Sequence, residues 1–188
     1  MKSSNQNNLR VGLFGIGLDT YWPQFPGLED RLKGYLNRVA AKLKRPGLRV
    51  VNLGLVDTAE KAMAAGHKFR EADVDLIFLH VTTYALSSTV LPVVRHAKVP
   101  VIILNLQPTA AIDYATFNQM GDRNKMTGEW LAYCAACPVP EIANVFSRSR
   151  ILFHQVTGMI DNDPACWREV DEWVEAARVV HTMEHNRM

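Results

Sequence analysis

Short apolar runs alternating with longer stretches of helical spacing constrain this chain more than any other feature in it. The runs are Val11–Ile16, Arg49–Leu53, Asp75–His80, Val99–Leu104 and Ile151–Val156, all rich in Val, Ile, Leu or Phe. Runs that are apolar on successive residues, rather than on every second one, read as strands covered on both faces. Between them, Leu28, Leu32, Tyr35, Leu36, Val39, Ala40 and Leu43 follow the spacing of one helix face, and Lys44-Arg45-Pro46-Gly47 closes that helix. Further helices are expected over Ala59–Ala72, Ser87–His96 (with Pro92 near its first turn), Lys125–Ala136, Pro140–Ser147 and Asp163–Glu184. The last starts at Asp163-Pro164, a capping residue followed by proline at the first helical position.

Parallel strands need crossovers of this length, and such crossovers are right-handed. The expected fold is therefore α/β: a doubly wound, five-stranded parallel sheet of flavodoxin-like or Rossmann-like type in three α/β/α layers, with strand order 2-1-3-4-5. Residues 1–9 are expected to form a disordered tail and 10–188 a single α/β domain. The chain ends in Glu184-His185-Asn186-Arg187-Met188 with no glycine stop and no polar tail, which reads as the amino-terminal domain of something longer.

Composition narrows the class. At 188 residues, 48% hydrophobic and 21% charged, the chain is an ordinary globular protein rather than a disordered one. Twenty-one basic residues against 19 acidic leave +2 with no basic block, so nucleic acid is not an expected partner. No apolar run approaches the ~18 residues that span a bilayer, and Met1–Arg10 lacks the apolar core of a secretory signal. Three cysteines are too few for a disulfide framework, and a reducing, cytoplasmic compartment is expected.

In an open α/β sheet, ligands bind beyond the carboxyl ends of the strands, where the strand order reverses. Three loops meet there: the one after strand one, from Gly15 through Trp22; Val81-Thr82-Thr83-Tyr84 after strand three; and Asn105-Leu106-Gln107-Pro108 after strand four. They are rich in hydroxyls, amides and aromatic rings, which suits a neutral polyol such as a sugar. The alternative is that these groups only cap helix ends and turns. Gly15-Ile16-Gly17 does not complete a dinucleotide fingerprint, because Thr20 stands where the third glycine belongs.

Cys134-Ala135-Ala136-Cys137 has the spacing of a redox pair, but it is placed at the end of a helix rather than after a first strand. Two half-buried packing thiols are the expected state, and Cys166 reads the same way. His80 and His154 are placed at strand ends, as crevice residues or as hydrogen-bonded structural ones. His181 and His185 lie four apart on the last helix without a carboxylate in place for a metal.

Asn118-Gln119-Met120-Gly121-Asp122-Arg123 packs two amides, an acid and a base into one short segment. It reads either as a surface turn or as a polar hook for a ligand or a neighbouring subunit. Here the chain resembles the amino-terminal domain of the L-arabinose isomerase and L-fucose isomerase superfamily, in which Asn-Gln is followed by Gly-Asp-Arg. The segments Trp130–Asn144 and Glu184–Arg187 are similar to an isomerase-like branch of it.

That resemblance implies the substrate-contact and assembly domain of a metal-dependent aldose–ketose isomerase, with Mn2+, the catalytic carboxylates and the metal ligands all lying downstream. It implies a homo-oligomer, trimer or hexamer, in which this domain reaches a neighbour's active site. The implied substrate-binding residues are Leu18, Asp19, Tyr21, Thr83, Asn118, Gln119, Asp122 and Arg123, with no catalytic or metal residue in this chain. Gln119 matches a sugar-side glutamine and Tyr21 a loop tyrosine. Leu18, Asp19 and Thr20 depart from the arabinose isomerase pattern Gln-His-Leu-Tyr, which puts arabinose in doubt as substrate. A stand-alone sugar- or polyol-binding module, or a regulatory one, is the alternative.

Overall fold

The computed structural model describes residues 8–185. Strands β1 (Leu9–Ile16), β2 (Leu48–Val56), β3 (Leu76–His80), β4 (Val101–Gln107) and β5 (Phe153–Met159) form one sheet in the order β2-β1-β3-β4-β5. Every adjacent pair is parallel. The doubly wound α/β fold, its strand order and its three layers are as the apolar runs require. The reason is visible in β3, whose five residues are all buried and, up to the histidine that ends the strand, all apolar.

Helices α1 (Leu28–Leu43) and α7 (Pro164–His185) cover one face, packing Leu32, Leu36, Val170 and Val174 against Leu13, Phe78 and Leu104. Helices α2 (Ala59–Glu71), α3 (Ser87–Arg95) and α6 (Val139–Arg148) cover the other, around Phe14, Phe69, Ile77, Ile103 and Phe146. A Cβ on Gly66 of α2 would press into the carbonyl oxygen of Pro92, so α2 and α3 touch backbone to backbone there. Pro92 lies in the second turn of α3 rather than in its first.

Several boundaries move for identifiable reasons. Leu9, assigned from sequence to the tail, opens β1 fully buried and pairs with Leu48. The rest of that tail, residues 1–7, lies outside the described residues. The loop that leaves β4 leads into a short helix, α4 (Tyr114–Gln119), capped by Asp113. Helix α5 runs Arg123–Leu131 instead of Lys125–Ala136, because Asp122 accepts from the amides of Asn124 and Lys125 and starts the helix early. On the outer strand, Leu13 pairs with Asn52 and Gly15 with Leu55, so Leu53 and Gly54 together face Phe14. This bulge needs Gly54 at φ 73°, and Asn52 Oδ1 accepts from the Gly54 amide.

Candidate functional site

The loop after β1 leaves the sheet at Gly17 and is held at its base. Trp22 Nε1 donates to Asp57 Oδ2 at 2.8 Å, and the Lys61 ammonium lies 2.7 and 3.0 Å from the two Asp57 oxygens. Lys61 occupies the position where a capping box would carry glutamate, and it reaches back to an acid instead. A Cβ on Gly17 would meet the Trp22 ring at 2.7 Å, so the indole fills the space over the glycine. That geometry agrees with the failed dinucleotide fingerprint.

The threonines after β3 are spent inside the protein. Thr82 donates to the carbonyl of Ile16, and Thr83 donates to the carbonyl of Leu131 at 2.7 Å, with both side chains buried. Asn105 is 7% exposed. Its amide reaches Thr157 Oγ1 at 3.4 Å, and its Oδ1 has no partner among the described residues.

His80 is fully buried with neither ring nitrogen partnered among the described residues. Burial pushes its pKa down to about 3, and nearby Arg38 adds to this, so the ring is a neutral core side chain. His154 is the second residue of β5, not its last. It pairs with Glu169 at 2.9 Å and lies against the Trp173 ring, away from the crevice.

The residues implied by the resemblance do not converge. Leu18 caps the 3-10 turn Asp19–Tyr21, and Asp19 is exposed. Tyr21 stands edge-on to Trp22 and Phe25, its hydroxyl pKa raised by burial first and then by Tyr84. Asn118 and Gln119 are exposed on α4, whereas Thr83 is sealed in the core. Gly121 turns the chain at φ 63°, Asp122 caps α5, and Arg123 is exposed on the first turn of that helix. The Asn118–Arg123 segment is thus the corner between two helices.

What the carboxyl edge of the sheet does form is a cavity of about 430 Å³ between the loop after β1, the start of α1 and α5. Arg31 of α1 spans its wall, with Nη1 2.5 Å from Glu129 Oε2, Nη2 3.1 Å from Oε1, and Nε donating to the Tyr35 hydroxyl at 2.7 Å. Burial works against the Arg31 charge, but the bonds to Glu129 and Tyr35 outweigh it and raise the guanidinium pKa. Phe25, Leu28 and Met120 supply apolar surface, and Lys125 lines the cavity with no salt bridge among the described residues. Gly27, the residue before α1, has no side chain to cap the first-turn amides; the Leu28 amide donates to the Phe25 carbonyl at 3.1 Å, and Glu29 and Asp30 lie on that first turn. Arg31, Glu129 and Lys125 were not singled out by sequence reasoning. The basic and acidic partners are 98 residues apart and carry no motif.

A larger cavity, about 510 Å³, lies at the opposite edge between the starts of β3 and β4 and the end of α7. His181 Nδ1 donates there to Asp75 Oδ1 at 2.8 Å, and His185 stacks on His181 at 4.2 Å. No group of three or more His, Cys, Asp or Glu side chains among the described residues is placed to hold a metal. We take the smaller cavity as the candidate site, because it lies at the carboxyl edge, where ligands bind in open α/β sheets, and borders the start of α1.

No protein-family model matches the chain, and no curated protein does. Solved structures that match include a protein from Bacteroides fragilis described as an acylhydrolase (14% identity, 95% of this chain and 90% of that one, TM-score 0.44). Another is a GDSL-like lipase from Bacteroides thetaiotaomicron (12% identity, 93% and 91%, TM-score 0.42). A third is a lipase/acylhydrolase from Enterococcus faecalis (14% identity, 77% and 74%, TM-score 0.33). At these scores, the activities those descriptions name stay with those proteins. None of the three is described as an isomerase. The Asn118–Arg123 segment that carried the resemblance is used to end one helix and begin the next. The expectation of an L-arabinose/L-fucose isomerase domain is therefore corrected. With it go the sugar-isomerase function, the sugar- or polyol-binding alternative and the Mn2+ that the resemblance implied.

Proposed function

We propose that the chain is a binding module for a small organic anion with an apolar body, held in the cavity between the loop after β1 and α5. The observation that carries this is Lys125, without a salt bridge among the described residues, lining the same space as the amino terminus of α1, which receives no side-chain cap. The positive end of a helix favours negative charge. Arg31 and Glu129 neutralise each other across the wall, so Lys125 leaves the lining net positive. Phe25, Leu28 and Met120 would take the apolar body, and the volume suits a small ligand.

Among the residues expected from sequence, Tyr21 supports Phe25 from behind, with Leu18 and Asp19 on the same turn. Asn118, Gln119 and Arg123 flank Met120, where a longer ligand would extend. Cytoplasmic placement is part of the same proposal, resting on the low cysteine count. Among the described residues no helix is long and apolar enough to cross a membrane.

The test is calorimetric titration with acetate, butyrate, hexanoate and benzoate, each against its uncharged amide. Affinity should rise with the apolar body, the amides should bind at least about tenfold more weakly, and Lys125→Ala should remove most of that difference. Equal binding of acids and amides would refute the reading.

A further inference from the structure

Cys134 and Cys137 are joined by a disulfide, with Cα atoms 5.4 Å apart, rather than standing as two packing thiols. Sequence placed the pair at a helix end. In the structure α5 stops at Leu131, and the pair lies in the turn leading directly into α6. The Cys137 amide donates to the Cys134 carbonyl at 3.3 Å, and the Val139 amide to that of Ala136 at 3.3 Å.

The two sulfurs differ in access. Cys134 is 2% exposed, whereas Cys137 is exposed to solvent. Cys137 also stands two residues ahead of the ten-residue helix α6, near the positive end of its dipole, a position that favours a thiolate. The closed loop spans only three residues of separation, so the bond removes little chain entropy and is not a large structural staple. Cys166 has a different character: it is buried on the first turn of α7 with its thiol pushed up to about 11, by burial first and then by Asp163 and Glu169.

We propose that Cys134–Cys137 is a reversible thiol–disulfide exchange site, entered at Cys137 by a low-molecular-weight monothiol of the glutathione class. The attacking thiolate forms a bond to Cys137 Sγ. The Cys134–Cys137 bond breaks, and its electron pair goes to Cys134 Sγ, which takes a proton from solvent. A second monothiol then attacks the sulfur of the first in this mixed disulfide and releases Cys137 as thiolate. The protein disulfide and two thiols become a protein dithiol and one small disulfide, and the same small disulfide drives the reverse step.

The turn being opened is anchored at both ends to the carboxyl edge. Thr83 holds the Leu131 carbonyl, and Glu141 of α6 accepts from the Ser87 amide at 2.9 Å. Reduction therefore loosens residues 132–138 between two fixed points. This inference does not depend on the ligand proposed above.

The full chain is equilibrated across buffers of varied reduced-to-oxidised glutathione ratio, quenched with acid, denatured, tagged with maleimide and weighed intact. Two tags should appear together in one transition, over a constant tag on Cys166. A pair that stays wholly oxidised or wholly reduced across the series overturns the proposal. Native alkylation of Cys134→Ser and Cys137→Ser variants then reads the point of entry. Cys137 in the first should react about a hundredfold faster than Cys134 in the second, and equal rates overturn entry at Cys137.

Discussion

Arg31 and Glu129 meet in a two-pronged ion pair, 2.5 and 3.1 Å, that ties the first helix of the chain to a helix 98 residues later. The Arg31 and Glu129 side chains are 33% and 26% exposed, so the pair is only partly screened by water. Glu129→Ala leaves a half-buried guanidinium without its carboxylate and should cost about 1–3 kcal/mol in denaturant unfolding. Arg31→Met in the same background should restore part of that loss. If the double-mutant cycle shows no coupling, the pair contributes only what an exposed surface pair does.

His80 sets a pH dependence of known sign. Its pKa is near 6.5 when unfolded and about 3 in the buried site, so between these values the unfolded chain holds a proton that the folded one does not. Stability from this group is fully present above pH 6.5 and is lost as pH falls toward 3, by about 1.4 kcal/mol per pH unit. Carboxylates contribute their own slope over the same range. The comparison is therefore with His80→Leu, whose unfolding free energy should fall less steeply with acid by about one proton. Parallel curves would mean that the buried ring titrates normally.

Asp57, 2% exposed, holds the Trp22 indole and the Lys61 ammonium from a single carboxylate. Asp57→Ala should release the loop after β1, shift tryptophan emission to the red and cost about 1–3 kcal/mol. Unchanged emission would show that Trp22 is seated by packing over Gly17 alone.

Gly66→Ala sets two effects against each other. Alanine gains about 1 kcal/mol of helix propensity over glycine, but its methyl would run into the Pro92 carbonyl oxygen, which is backbone and cannot turn away. Overpacking of this kind costs about 1–3 kcal/mol, so net destabilisation is expected in thermal unfolding. A stabilised variant would show that α2 and α3 slide apart easily.

The sheet was legible because β1, β3 and β4 are buried on both faces, which leaves no room for a misleading polar alternation. The helix face of Leu32, Leu36 and Val39 was legible for the matching reason, that one stripe meets one core. The site was much less so. Thr82 and Thr83 look like ligand groups in a sequence, yet their hydroxyls are bonded to main-chain carbonyls of distant segments. Asp122 looks like one arm of a polar hook, yet its carboxylate satisfies two amides of its own helix. Whether a polar side chain is free or already engaged depends on tertiary neighbours that local spacing does not reveal. The same holds for Cys137, whose reading changes once α6 begins two residues after it.

The bulge at Leu53 and Gly54 has a consequence beyond its own strand. β2 is one of the two edge strands of the sheet and exposes Arg49 and Asn52. A straight edge would offer a row of unpaired amides and carbonyls to any other extended chain. Here the row is interrupted in the middle, because one residue is doubled and Asn52 Oδ1 already occupies the Gly54 amide. A sixth strand approaching from that side would meet a broken register flanked by charge, so growth of the sheet into an aggregate is blocked at β2 by the backbone itself.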